Sequence, residues 1–410
     1  MRRFFPVLKA AIKKNRRLYS ALQRVGPFYR ALEQGCRKRF PRRYPGMDLR
    51  PREEKKNAPL KRRALVSYLV HPFTISPGDP MFYRHSNIWQ SHRIVYILNR
   101  LGFLVDVVDF RDKGFVPKKD YDLFFGHGDE TFLSIGRKLP EKSRKIYYST
   151  SNYWRYRNRA VEERYAALSL RKGIEVRPLK MIPPIIEDVL SMANGIIGIG
   201  GEFARETYAG YPRVIMVDNT VFPDGAYDIS KRDFSCSRSH FLFFAGDDNI
   251  RKGLDLLIEA FSGLNAHLWI CAFIDEPITR LYEKELNHLP NIHPVGSIMP
   301  RSDLFYEIID RCAFSILPTS SEGQPGTVAE CMYYGLIQLI SPACSIEVEG
   351  FGELLEECSI REIREKVTRW EAMAPGQLRS MAQKARRVAE SRFSPAAFTA
   401  NMTAAFKTFV

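Results

Sequence analysis

Glu322-Gly-Gln-Pro-Gly-Thr-Val-Ala-Glu330 follows the apolar run CAFSILP at Cys312–Pro318. Together they read as a strand, a glycine-bearing turn and the start of a buried helix. Gly323, Pro325 and Gly326 suit a tight loop, whereas residues 327 to 336 lack proline and continue as a helix. Glu322 is then expected in the loop and Glu330 on the helix, both facing one cleft. The helix start between them offers unpaired backbone N–H groups and a positive dipole end, which suits a phosphate. A phosphorylated, hydroxyl-rich ligand fits two carboxylates around such a terminus. The bare pair is common in any Glu-rich chain, and one helix carboxylate is ordinarily a solvated face, so the neighbouring sequence has to decide.

Upstream, FLFFAGDDNIRKGLDLLIEAF from Phe241 reads as a short strand, a polar loop, and Lys252-Gly253 opening an amphipathic helix with Leu254, Leu257, Ile258 and Phe261 on one face. A strand is expected at 267–273, NIHPVGSI follows from Asn291, and a helix runs through 304–309. This order of elements resembles the group 1 glycosyltransferases, retaining nucleotide-sugar-dependent enzymes of the GT-B fold. The resemblance is clear over residues 241–342, weaker over 64–221, and does not reach the first sixty residues. Several ordered elements recur together, which makes it more specific than one motif.

The resemblance implies a role for each matching residue. Lys252 would contact the donor diphosphate, Glu330 the ribose hydroxyls, and Glu322 the transferred sugar. A lysine ammonium suits a departing diphosphate as a point charge, and an ionised carboxylate accepts hydrogen bonds from vicinal hydroxyls. Gly246, Gly296, Gly323, Gln324, Gly326 and Thr327 would complete the donor pocket. Many relatives carry a second phosphate-binding arginine after the first glycine, where this chain has Asp247. Arg251 is the candidate substitute, although adjacent helix residues point in different directions. His127, five residues beyond Asp122, matches a histidine that lies near the transferring sugar in relatives. His85 and Asn87, in RHSN, stand where relatives place a glycine-rich phosphate loop. No cofactor or metal is expected, and Asp247-Asp248 reads as a polar turn.

The first globular domain is expected from Ala64 to Phe222. Strands at 64–70, 104–110, 121–125, 145–148, 195–199 and 214–217, with a helix at 86–101, indicate a parallel doubly wound sheet. GIIGIGGEF from Gly195 lacks the third glycine of a dinucleotide fingerprint at the right offset. Residues 219–239 carry Pro223, Gly225 and few apolar side chains, and read as a hinge to a second doubly wound domain at 240–394. The α/β architecture is therefore two Rossmann-like domains facing across a cleft. By resemblance, the helix at 395–410 could cross back onto the first domain.

Charge is uneven. Residues 1–63 hold 21 Lys or Arg against 4 Asp or Glu, a net +17, leaving 41 against 42, a net −1, in the remaining chain, so the whole basic excess belongs to this extension. Its apolar Phe5, Leu8, Ala11, Ile12, Tyr19 and Leu22 fall largely on one helical stripe, with Lys and Arg on the rest. That segment is too charged to span a bilayer and too broken for a signal peptide, and it fits an interfacial helix on an anionic membrane. A helix packed on its own domain and an organelle presequence are the other readings of the same stripe. Residues 36–63 read as a basic linker. Seven cysteines without a CxxC pair suit a reducing, cytoplasmic setting. The expected function is sugar transfer from a nucleoside-diphosphate donor to a glycan or lipid-linked acceptor. A sugar-nucleotide epimerase or a non-catalytic protein of the same fold are the alternatives. Nucleic-acid binding through the extension is not expected, because no recognised module accompanies it and the body is near neutral.

Overall fold

A computed structural model describes residues 48–49 and 62–410, apart from 77 and 226. Two six-stranded sheets organise this region, and every ladder between their strands is parallel. The first contains β1 (Arg62–Tyr68), β2 (Phe103–Asp109), β3 (Leu123–Gly126), β4 (Arg144–Ser149), β5 (Gly195–Ile199) and β6 (Val214–Val217), in the order β2-β1-β3-β4-β5-β6. The second contains β7 (His240–Phe244), β8 (His267–Cys271), β9 (Ile292–Pro294), β10 (Phe314–Leu317), β11 (Ile337–Ile340) and β12 (Gly352–Leu354), in the order β12-β11-β10-β7-β8-β9. Runs such as FLFF and FSIL are apolar at nearly every position because helices cover both faces of a parallel sheet.

Strand order reverses between β1 and β3 in the first sheet and between β7 and β10 in the second. At such switch points the loops leaving neighbouring strands diverge and open a crevice at the strands' carboxyl ends. The loops that do so are 69–85 and 127–129 in the first domain, and 245–253 and 318–325 in the second.

Two helices are exchanged between the cores. The helix Trp154–Lys172 belongs by position to the first domain, yet Val161, Tyr165 and Leu168 are buried in the core of the second. The sequence reading assigned no element there, because the helix has no broad apolar stripe. It carries Arg157, Arg164 and Arg171 at seven-residue spacing instead. Arg171 pairs with Asp255 and lies 3.3 Å from Glu259, both on the helix Leu254–Phe261 of the second domain. In return, the helix Pro395–Lys407 buries Phe398, Met402 and Phe406 in the first core, with Phe406 5.0 Å from Phe125 and Phe398 5.6 Å from Trp89, ring centre to ring centre.

The segment 219–239, read as a polar hinge, is firmly held. Asn219 and Thr220 are buried, as are Val221, Phe222 and Phe234. The Asp224 carboxylate accepts from the hydroxyls of Tyr306 and Tyr334. Its polar residues are those that tolerate burial when each finds a partner. Among the described residues no helix is long and apolar enough to cross a membrane. The amphipathic stripe of the extension lies outside the described residues, as does most of the basic linker read at 36–63; of that linker, Arg62 and Arg63 instead begin β1, and Leu49 bridges Val105 of β2.

Candidate active site

The loop leaving β7 places the first group of side chains. Gly246 is exposed at its start, and Asp247 accepts from Lys180 Nζ at 2.8 Å. Asn249 is buried and locked by a reciprocal pair with Asp275, each backbone N–H donating to the other's side chain at 2.7 Å. Residues 250–253 form a turn, and the helix begins only at Leu254. Arg251 and Lys252 are therefore not consecutive helix positions, and both converge on the same atom, Glu322 Oε1, Arg251 from 2.9 Å. The directional objection to a second cation at Arg251 fails for that reason. Gly253 has φ +79°, and a Cβ there would sit 2.5 Å from the carbonyl oxygen of Pro318. Only glycine lets the loop after β7 lie against the loop after β10.

Glu322 is thus a half-buried carboxylate, its side chain 17% exposed, between two cations. Burial alone would raise its pKa, but Arg251 and Lys252 outweigh it and hold the group at about 2. It is ionised at any physiological pH. Arg251 also pairs with Asp248, which lies 3.9 Å from Arg157. Three cations, Arg157, Arg251 and Lys252, thus gather around two carboxylates, Asp248 and Glu322. Beside it begins the helix Gly326–Tyr333, whose N-terminus no side chain caps. A second helix start, that of Ser86–Arg100, adjoins it across the domain boundary: a Cβ on Gly326 would lie 3.7 Å from Ser86 Oγ. His85 caps this helix, accepting from the Asn87 N–H at 3.3 Å. Two helix N-termini, one of them capped, thus adjoin one another at the domain boundary.

Glu330 is buried on the helix that starts here, and its Oε1 accepts from Arg301 Nη1 at 2.6 Å. Burial is the main influence on it. Asp224 adds to that effect and Arg301 opposes it, leaving the pKa raised to about 7. Arg301 was not foreseen. Ser302 caps the helix Asp303–Arg311 and so marks the end of the loop after β9, but no local spacing ties Arg301 to a carboxylate on another element. Gly296 lies in that same loop with φ +88°. Thr327 is half-buried in the first turn of its helix.

Gln324 and Gly323 join the domains. Gln324 is buried, accepting from the Asn219 N–H at 2.6 Å and donating to Asp218 at 2.8 Å and the Ser345 carbonyl at 3.2 Å. Its side chain is engaged within the protein. A Cβ on Gly323 would meet the Ile199 and Thr150 carbonyl oxygens of the first domain at 2.6 and 2.9 Å. His127 leaves β3 at the first sheet's switch point. Its Nδ1 lies 2.8 Å from the Tyr148 carbonyl, which can only accept, so Nδ1 carries the proton and the neutral ring presents Nε2 as an acceptor. Burial between Tyr68 and Phe110 lowers its pKa and favours that neutral form.

Residues 229–388 match the family described as glycosyl transferases group 1. No curated protein matches the chain. Among solved structures, sucrose-phosphate synthase from Thermosynechococcus elongatus is similar at a TM-score of 0.59 and 13% identity, covering 85% of this chain and 99% of that one. Anabaena HepE in complex with UDP is similar at 0.55 and 12% identity, over 85% and 100% of the two chains. TarM is similar at 0.51 and 14% identity over 77% of this chain, which spans 57% of TarM's length. At these identities the likeness is one of fold. The described chain has the GT-B fold, and its residues 229–388, which carry Lys252, Glu322 and Glu330, match the group 1 glycosyltransferase family.

Proposed function

We propose that this protein transfers a sugar from a nucleoside-diphosphate donor to a hydroxyl of a glycan or lipid-linked acceptor, with retention at the anomeric carbon. One observation carries the reading: Lys252, Arg251 and Glu322 meet at the second sheet's switch point, beside an uncapped helix N-terminus. Departure of a nucleoside diphosphate needs charge stabilised on its phosphates while positive character develops on the sugar. Lys252, Arg251 and the amides at Gly326 and Thr327 serve the phosphates. Lys252 and Arg251 exchange one oxygen of Glu322 for phosphate oxygens, and Glu322 turns to hydroxyls of the sugar. Glu330 takes the ribose hydroxyls. His127, neutral with Nε2 as an acceptor, lies on the acceptor-side domain and lines the transferring sugar. His85 and Asn87 contribute from the opposed helix start.

Asp247 and Asp248 are already engaged by Lys180 and Arg251, which favours neutralisation of the diphosphate by protein groups over a divalent ion. A bilayer-borne acceptor accounts for the basic extension, which would hold the protein peripherally on the cytoplasmic face. The test is incubation with a panel of nucleotide sugars, UDP-sugars first because similar HepE binds UDP. Released nucleoside diphosphate with an α-linked product from an α-donor is expected. Epimerised donor without release, or binding without turnover of any donor, overturns the reading.

A further inference from the structure

Arg301 stands between the two halves of the molecule. Its Nη1 donates to Glu330 Oε1 at 2.6 Å, and its Nη2 donates to the backbone carbonyl of Tyr83, in the first domain, at 2.8 Å. Its guanidinium lies 5.8 Å from the ring centre of Phe222, which itself packs edge-on against Tyr83 and Trp89. The backbone at Arg301 has φ +63°, a left-handed conformation disfavoured for a side chain of this size. Such a conformation persists where the surroundings over-determine it. Here the two hydrogen bonds and the aromatic contact do so.

We infer that Arg301 is a positioning residue for the donor nucleotide: it is the counter-ion that keeps Glu330 ionised and aimed at the ribose, and the first domain's Tyr83 carbonyl holds it in place. The inference rests on the reading of Glu330 as the ribose ligand. The Arg301 bond falls on Oε1, which leaves Oε2 to accept from a ribose hydroxyl. The surroundings explain why a counter-ion is needed. Asp224 approaches Glu330 from the interdomain segment, and the hydroxyls of Tyr306 and Tyr334 face the same region from neighbouring helices. Cys331 adjoins it on its own helix. Arg301 is the cation that faces Glu330, and burial together with Asp224 would otherwise favour the protonated acid, which donates where the ribose needs an acceptor.

The test is the affinity for UDP, GDP and ADP between pH 5.5 and 9 in the full chain. For the wild type, binding of at least one nucleotide should strengthen as pH rises through about 7, as Glu330 ionises. In Arg301→Gln the midpoint should move up by about one pH unit or more, a loss of about fivefold or more in affinity at pH 7. Arg301→Lys should bring the midpoint back, because it restores the charge. Glu330→Gln should bind weakly with no such midpoint. An Arg301→Gln midpoint equal to the wild type's, or a flat wild-type profile, overturns the inference. Glu330→Gln binding like the wild type, or no binding of any of the three nucleotides, overturns the ribose reading instead.

Discussion

At the scale of single residues, the proposed function assigns separate groups to phosphate, ribose and sugar, and each assignment makes a distinct prediction. Lys252→Ala removes a charge-assisted contact of about 1.5–3 kcal/mol, so kcat/KM should fall roughly ten- to a hundredfold. Glu330→Ala should act mainly on nucleotide affinity, and Glu322→Ala mainly on turnover, read by calorimetry and by product release. Unchanged affinity and turnover in folded Lys252→Ala and Glu330→Ala proteins would remove the assignment. His127→Ala should slow transfer with little change in nucleotide affinity. Activity should also persist in EDTA, and its loss in chelator with recovery on adding magnesium or manganese would replace the metal-free account. Lys252, Glu322 and Glu330 were legible because they lie in short segments with a recognisable order. Arg301 was not, since its partners come from a helix 29 residues on and from another domain. Arg251 was legible as a cation but not in its direction, which depends on a turn replacing the first helical turn at 250–253.

Among the elements, the loops after β7 and β10 form one unit, and Gly253 is where they touch. Gly253→Ala forces a Cβ into the Pro318 carbonyl and a side chain into φ +79°. Neither the oxygen nor the backbone angle is free to yield cheaply. The substitution should cost about 1–3 kcal/mol, seen as a lower denaturation midpoint, and should weaken nucleotide binding further by displacing Lys252. A protein of wild-type stability and affinity would mean that the loops are looser than their contact implies. Strands were the elements most readily read, because each is a short apolar run bounded by turn residues. The helix Trp154–Lys172 escaped the reading because its contact with the second domain is a narrow apolar line edged with arginines rather than a broad stripe. The helix expected to reach residue 336 ends at Tyr333, since β11 claims the chain from Ile337.

At the scale of the whole molecule, the described domains hold a near-neutral balance of charge, while the first 63 residues carry the basic excess. Each Lys or Arg engaged near an anionic bilayer contributes up to about 1 kcal/mol, and salt screens it. Full-length protein should therefore co-sediment with anionic vesicles at low salt and be released at high salt, and a variant lacking residues 1–60 should not. That variant should still bind nucleotide and lose activity only on a membrane-embedded acceptor. Equal sedimentation of both forms would put the membrane contact elsewhere, and preference of the extension for RNA or DNA would favour a nucleic-acid partner. The sequence alone determined the doubly wound architecture, the position of the loops that carry the candidate site and the three charged groups in them, because apolar periodicity, turn residues and motif order are local properties. Only the tertiary structure decided that Arg251 joins Lys252 on Glu322, that Gln324 ties the domains together, and that Arg301 spans them. These depend on which distant backbone and side-chain atoms share a desolvated space, and burial sets their hydrogen bonds and charge states.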